Sequence, residues 1–352
     1  MKIRSWLAGL VAVAVLLAGC GEGSKVADAE SAPLPTSEVS SSGQEVLKRS
    51  KCRSPARGSL RVSLNSYVGP DNVAVWVAKL KGFFSDVDVR TRVLTPIVPN
   101  RPVRYLTLRV DDVALAQVPQ AVIAKAAGAP IIVLGTLISQ PTAAMIWLKS
   151  SGINSVAEMK GKTVAYPGVP FQKAFLEEIL VRAGLEPAEV RLEPVGYRLI
   201  PTLLSREADA VFGSWNIEGM TLESRGAAPV AERVEKLGIP GYQELAVVAR
   251  TECVAKYPRL YSRFMAALTR GVAATREHPA WATRLIEENG ERNRELEEPE
   301  VDAQVAATLP LLVRDPRIDP EQSRRLLAWM YQRGLIEREV PASEIFTNSY
   351  LP

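Results

Sequence analysis

The residues best suited to chemistry follow short strand-like runs. Ala208–Gly213 reads as a strand, and Trp215-Asn216-Ile217-Glu218 comes directly after it. A carboxylate there accepts charge-assisted hydrogen bonds from an amine. An indole beside it can stack on a flat ring or serve equally well in a core. The same tetrapeptide suits a helix start, with Asn216 capping a helix to Gly226 and Glu218 favoured by the dipole. Pro167-Gly168-Val169-Pro170-Phe171-Gln172 feeds a second predicted helix N-terminus. Free N–H groups there suit a carbonyl, formyl or phosphate oxygen, although a plain connecting turn has the same composition. Tyr197, after Gly196, can wall a cleft or pack inside a lobe. Gln117, Gln120 and Gln140 carry amides that both donate and accept, and glutamine is also common simply at surfaces.

Composition narrows the chemistry further. The 352 residues include one histidine, His278, and three cysteines. Ser-His-Asp catalysis and histidine-rich metal sites are hard to build from that set, and no metal-ligand spacing is present. No cofactor or metal is expected. Lys+Arg 43 against Asp+Glu 39 gives a formal +4, and loss of Lys2 and Arg4 with a leader would bring it to +2. So small a balance, spread along the chain, argues against nucleic acid as a partner.

The elements that must position these residues alternate. Leu60–Leu64 alternates apolar and polar as a strand does. Gly69-Pro70-Asp71 is a turn, and Asn72 can cap a helix over Val73–Lys81. Val87–Leu94, Pro130–Leu137, Ala143–Leu148, Val164–Tyr166, Val190–Val195 and Leu245–Ala249 are further strands. Helices are expected around Pro119–Ala127, Phe171–Ala183 and Leu199–Ser205, and from Tyr257 onward with proline breaks. Repeated βα units imply α/β layers. Ligands in such folds collect at the carboxyl ends of strands, and two α/β lobes would place a cleft between them.

The first residues carry a targeting pattern. Met1–Ser5 is basic, Trp6–Gly19 is apolar, and Leu17-Ala18-Gly19-Cys20 closes the stretch. That is a secretory signal, and it resembles a bacterial lipobox in which Cys20 is acylated. Gly21–Arg57 is rich in Gly, Ser, Pro and charge, and reads as a flexible tether. Cys52 and Cys253 remain as a candidate disulfide in an oxidising compartment; sequence does not give their separation.

Several motifs in order resemble the thiamine-pyrimidine-precursor binding proteins of ABC importers. They are Gln140-Pro141, Ile146-Trp147-Leu148-Lys149, Lys160-Gly161-Lys162, Tyr166-Pro167-Gly168, Val195-Gly196-Tyr197 and Trp215-Asn216-x-Glu218. The resemblance runs from about Leu60 to Ala282. It implies a type II periplasmic-binding-protein fold, α/β and two-lobed with a hinged interlobe cleft. Residues 1–19 would be the signal peptide and 20–57 the lipidated tether. Residues 58–139 with 243–352 would form lobe one, and 140–242 lobe two. The hinge would lie near Ala143–Leu148 and Tyr242–Ala249. The implied ligand is a small heteroaromatic nutrient, with Glu218 facing an aminopyrimidine. Asn65, Tyr67, Asn72, Gln117, Gln140, Gly168, Phe171, Tyr197, Trp215 and Asn216 complete the expected contact set.

The first loop departs from the family pattern of Leu-Asp-Trp followed by a Pro-Asn turn and a histidine. Here it reads Leu64-Asn65-Ser66-Tyr67, with Asn72 at the place of the histidine. Riboflavin, a sulfonate or another small organic solute are the alternative ligands. The implied partners are a permease and its ATPase, and the membrane through the lipid anchor. The protein would act as a monomer on the extracytoplasmic side. An enzyme resembling the yeast-type pyrimidine synthases is the other class; those rely on a histidine, a cysteine-rich motif and iron, and this chain has only isolated cysteines and His278.

Overall fold

The computed structural model describes residue 52 and residues 54–96, 102–289 and 298–352. The expected leader, Cys20 and nearly all of the expected tether lie outside the described residues. Ten strands are present among those described. They are β1 Ser59–Ser63, β2 Arg90–Leu94, β3 Val113–Gln117, β4 Ile131–Thr136 and β5 Ala143–Leu148. There follow β6 Thr163–Tyr166, β7 Arg191–Pro194, β8 Ala210–Ser214, β9 Pro229–Arg233 and β10 Leu245–Arg250.

The strands form two five-stranded sheets, ordered β2-β1-β3-β10-β4 and β7-β6-β8-β5-β9. Both sheets follow one plan. Four strands run in one direction, and the fifth, β10 or β5, is inserted antiparallel to both of its neighbours. Each inserted strand is the one by which the chain arrives from the other sheet. Helices cover the sheets, as the βα alternation requires. The molecule is therefore two-lobed.

The inserted strands read as near-continuous apolar runs because both faces are covered. Every residue of Leu245–Arg250 is buried, as are Ala143–Trp147. These segments are thus interior strands, and the crossovers proper occupy the few residues just before each. There the two passes touch. Leu137 N–H donates to Leu245 O at 2.7 Å, and Glu244 N–H to Ile138 O at 2.9 Å.

In the first lobe, helix Val73–Leu80 packs on helix Pro258–Glu277. The approach is close at Gly271, where an added Cβ would fall 2.5 Å from Ala74 O. The C-terminal helices reach both lobes. Helix Glu298–Thr308 places Val301 and Val305 in the first-lobe core. Its Gln304 donates to Thr221 Oγ1 at 2.8 Å, and Glu300 pairs with Arg225, both partners in the second lobe. Helix Pro320–Gln332 is opened by Asp319, which accepts from the N–H groups of Glu321 and Gln322, with proline at its first position. Trp329 on this helix meets Phe175 of the second lobe edge-on at 5.4 Å.

Cys52 and Cys253 are joined by a disulfide with a Cα separation of 5.6 Å. Among the described residues no helix is long and apolar enough to cross a membrane.

Candidate functional site

A cleft of about 100 Å³ lies where the carboxyl ends of β1, β3, β6 and β8 face one another. The position follows from topology: parallel strands with helices on both faces leave a crevice at those ends. The loop after β1 contributes Asn65, Ser66, Tyr67 and Asp71, and β3 ends in it at Gln117. From the other lobe come Val169, Phe171 and Gln172 at the start of helix Pro170–Arg182, then Tyr197 and Leu199. The end of β8 adds Gly213 and Ser214, and the turn beyond it Ile217 and Glu218. The crossovers close the floor with Thr142, Ala143, Glu244 and Leu245. Tyr67 and Tyr197 meet across the lobes with ring centroids 5.2 Å apart and planes at 74°.

Of the residues expected from sequence, Asn65, Tyr67, Gln117, Phe171, Tyr197 and Glu218 line this cleft. The other five stand behind it. Asn72 is fully buried and braces the loop, donating to Asn65 Oδ1 and Tyr67 O at 2.9 Å and accepting from Gly69 N–H. Gly168 occupies the left-handed region at φ +81°, which lets the chain turn into the helix. Asn216 points away and donates to Thr308 Oγ1 at 2.8 Å. Trp215 carries the Arg233 guanidinium over its ring at 3.8 Å. Gln140 is half-buried at the crossover, outside the lining. His278 stacks on Trp281 at 4.1 Å, away from the cleft.

Glu218 serves structure and cleft together. Residues Trp215–Gly219 form a π-helical turn ahead of helix Met220–Ser224. No side chain of Asn216 caps it. Instead the Glu218 carboxylate reaches back and accepts from Ser214 N–H at 2.7 Å, a one-way contact that suits the dipole. A Cβ on Gly213 would stand 3.1 Å from Glu218 Oε2, so glycine makes room for this carboxylate.

Asp71 and Glu244 are the functional candidates that sequence reading missed. Asp71 was read as a turn residue. It accepts from Asn65 Nδ2 at 2.8 Å on one oxygen, while the other is buried with no hydrogen-bond partner. Glu244 is 7% exposed and accepts from Thr142 N–H at 3.2 Å, tying the two crossovers together. One signal for it exists: a lone acid at the head of the apolar run Leu245–Ala249.

The three carboxylates share a common electrostatic state. Burial pushes the Asp71 carboxyl up, against the hydrogen bond from Asn65. Burial does the same at Glu218, against the Ser214 N–H and with the charge of Asp71 adding to the rise. At Glu244 burial outweighs the Thr142 N–H and pushes the group up to about 7. The lining residues include no lysine, arginine or histidine to offset them. Such a cleft is made to receive hydrogen-bond donors.

Two α/β lobes with exchanged antiparallel strands, and a small cleft between their carboxyl edges, define the periplasmic-binding-protein class of architecture. The fold is similar to that of the periplasmic aliphatic sulphonate binding protein SsuA from Escherichia coli, with TM-score 0.64 at 16% identity over 82% of this chain and 91% of that one. The chain belongs to the NMT1/THI5-like family, whose model matches residues 69–282. A Haemophilus influenzae protein named for thiamine biosynthesis is 32% identical over 295 residues, 82% of this chain and 91% of that protein. The formylaminopyrimidine-binding protein of Halalkalibacterium halodurans is 24% identical, over 82% of this chain and 90% of that protein. A Legionella pneumophila protein named 4-amino-5-hydroxymethyl-2-methylpyrimidine phosphate synthase is 26% identical, over 85% and 94% respectively.

Proposed function

We propose that this protein is the extracytoplasmic solute-binding lipoprotein of an ABC import system. In this reading it captures a thiamine pyrimidine precursor, or a closely related amino-heterocycle, in the interlobe cleft and delivers it to a permease. The observation that carries the reading is Glu218 in the cleft wall at the end of β8, backed by Asp71 across the cleft. A carboxylate so placed accepts from an exocyclic amine and a protonated ring nitrogen. Phe171 and the two tyrosines offer aromatic walls for a flat ring.

The synthase named among the relatives suggests the competing reading. The cleft lining holds neither the histidine nor the cysteine on which the yeast-type synthases rely, which supports binding and release over that chemistry. Residues 1–19 are proposed as the signal and 20–57 as the tether acylated at Cys20. Residues 58–139 with 243–352 are proposed as one lobe, and 140–242 as the other.

A thermal-shift and calorimetric panel tests the ligand. An aminopyrimidine at 100 times its Kd should stabilise the fold by about 2.7 kcal/mol. Glu218→Gln should weaken its binding at least tenfold, about 1.4 kcal/mol. Unchanged affinity in the variant removes Glu218 from the site, and no response to any aminopyrimidine overturns the ligand assignment. For the anchor, Cys20→Ser should abolish labelling with radioactive palmitate in cells, and persistent labelling would exclude Cys20 as the acylated residue.

A further inference from the structure

Three carboxylates reach the cleft from three separate segments: Asp71 from the loop after β1, Glu218 from the turn after β8, and Glu244 from the crossover. Each accepts a hydrogen bond from the protein: Asp71 from Asn65, Glu218 from Ser214 N–H and Glu244 from Thr142 N–H. On Asp71 the second oxygen is buried and unpartnered. Uncompensated carboxylates removed from water are costly, and are relieved by a proton or by a countercharge. The lining supplies no cationic side chain. The nearby Arg233 is spent on the face of Trp215. The N-terminal end of helix Pro170–Arg182, which opens on the cleft, contributes about half a positive charge.

We propose that the cleft selects its ligand by charge, accepting a flat molecule with a cationic nitrogen edge and rejecting phosphorylated or sulfonated ones, with Asp71 and Glu244 acting as the selecting residues beside Glu218. The inference rests on the cleft being the binding site for a flat heterocycle, and it adds the charge that such a ligand must carry. A cationic nitrogen edge supplies the countercharge that the lining lacks and donates to the unpartnered Asp71 oxygen. A phosphate ester brings about −1.5 to −2 charges into the same space, where half a helix charge cannot balance it. Flatness alone therefore does not suffice for binding, and fold likeness to a sulfonate binder does not carry its ligand class over.

The test uses the whole folded chain and four probes in calorimetry. Two are matched in shape and opposite in charge, benzamidine and benzenesulfonate. Two are matched in ring, 4-amino-5-hydroxymethyl-2-methylpyrimidine and its phosphate ester. Each anionic probe is expected to bind at least tenfold more weakly than its counterpart. Asp71→Asn and Glu244→Gln, which keep shape and are checked for folding by their far-UV spectra, should weaken the preferred probe and narrow each gap by threefold or more. Equal or tighter binding of either anionic probe overturns the proposal, as does a gap that neither variant changes, or binding by none of the four. Selection of benzamidine over benzenesulfonate while both pyrimidines fail to bind supports charge selection and overturns the pyrimidine reading instead.

Discussion

Glu244 is the residue where cleft, crossover and proton balance meet. Its carboxyl titrates at about 7 in the folded chain, against 4.5 for the ordinary side chain, because burial outweighs the Thr142 N–H and the charges of Asp71 and Glu235 add to the rise. Between those values the folded state holds a proton that the unfolded state has released. The sign follows from linkage: the stability contributed is present below about 4.5 and is lost as pH rises through about 7. At about 1.36 kcal/mol per pH unit of separation, the loss is on the order of 3 kcal/mol. Asp71 and Glu218, also raised by burial, act in the same direction. Urea denaturation of the ligand-free protein at pH 5 and pH 8 should show the wild type losing about 2–4 kcal/mol more than Glu244→Gln. Parallel losses in the two proteins would mean that Glu244 titrates normally.

At the scale of elements, the turn after β8 is held from outside the cleft. Thr308, on a helix 92 residues further along the chain, accepts from Asn216 inside the same π-helical turn that carries Glu218. Removing that acceptor leaves a buried amide unpaired, which costs about 1–3 kcal/mol, and lets the turn relax. Thr308→Val should therefore weaken aminopyrimidine binding severalfold although Thr308 does not line the cleft, with the loss read by calorimetry beside a melting curve. A melting shift with unchanged affinity would confine Thr308 to a structural role. Much of this arrangement was legible beforehand. The alternation at Leu60–Leu64, the apolar runs at Ala143–Leu148 and Leu245–Ala249, and the acid after Gly213 sit in the elements and cleft they suggested. What stayed hidden depends on distant partners. Asn216 looks like a cap because its partner is on another helix, Asp71 looks like a turn residue because its loop folds back into the cleft, and Glu244 gains its setting from Thr142, 102 residues away.

Over the whole molecule, the two lobes share two crossovers and the C-terminal helices that reach both, while the N-terminal edge depends on a different device. The disulfide fixes residue 52 to helix Thr251–Lys256 across 201 residues of sequence, immediately before β1 begins. Any pull arriving along the preceding segment is then borne by the covalent bond and the helix, and not by the pairing of β1 with β2 and β3. A chain-entropy account gives a cross-link closing about 200 residues a contribution near 5 kcal/mol, and native disulfides typically contribute about 2–5 kcal/mol. Neither sulfur lines the cleft, so stability and binding should separate. Cys253→Ser is expected to lower unfolding free energy by about 2–5 kcal/mol in denaturant, while ligand affinity at low denaturant stays within about twofold, less than 0.5 kcal/mol. Reductant should bring the wild type to the variant's curve and leave the variant unchanged. If wild-type and variant curves coincide under oxidising conditions, the bond contributes nothing, and the first lobe must be held at its N-terminal edge by β1 pairing alone.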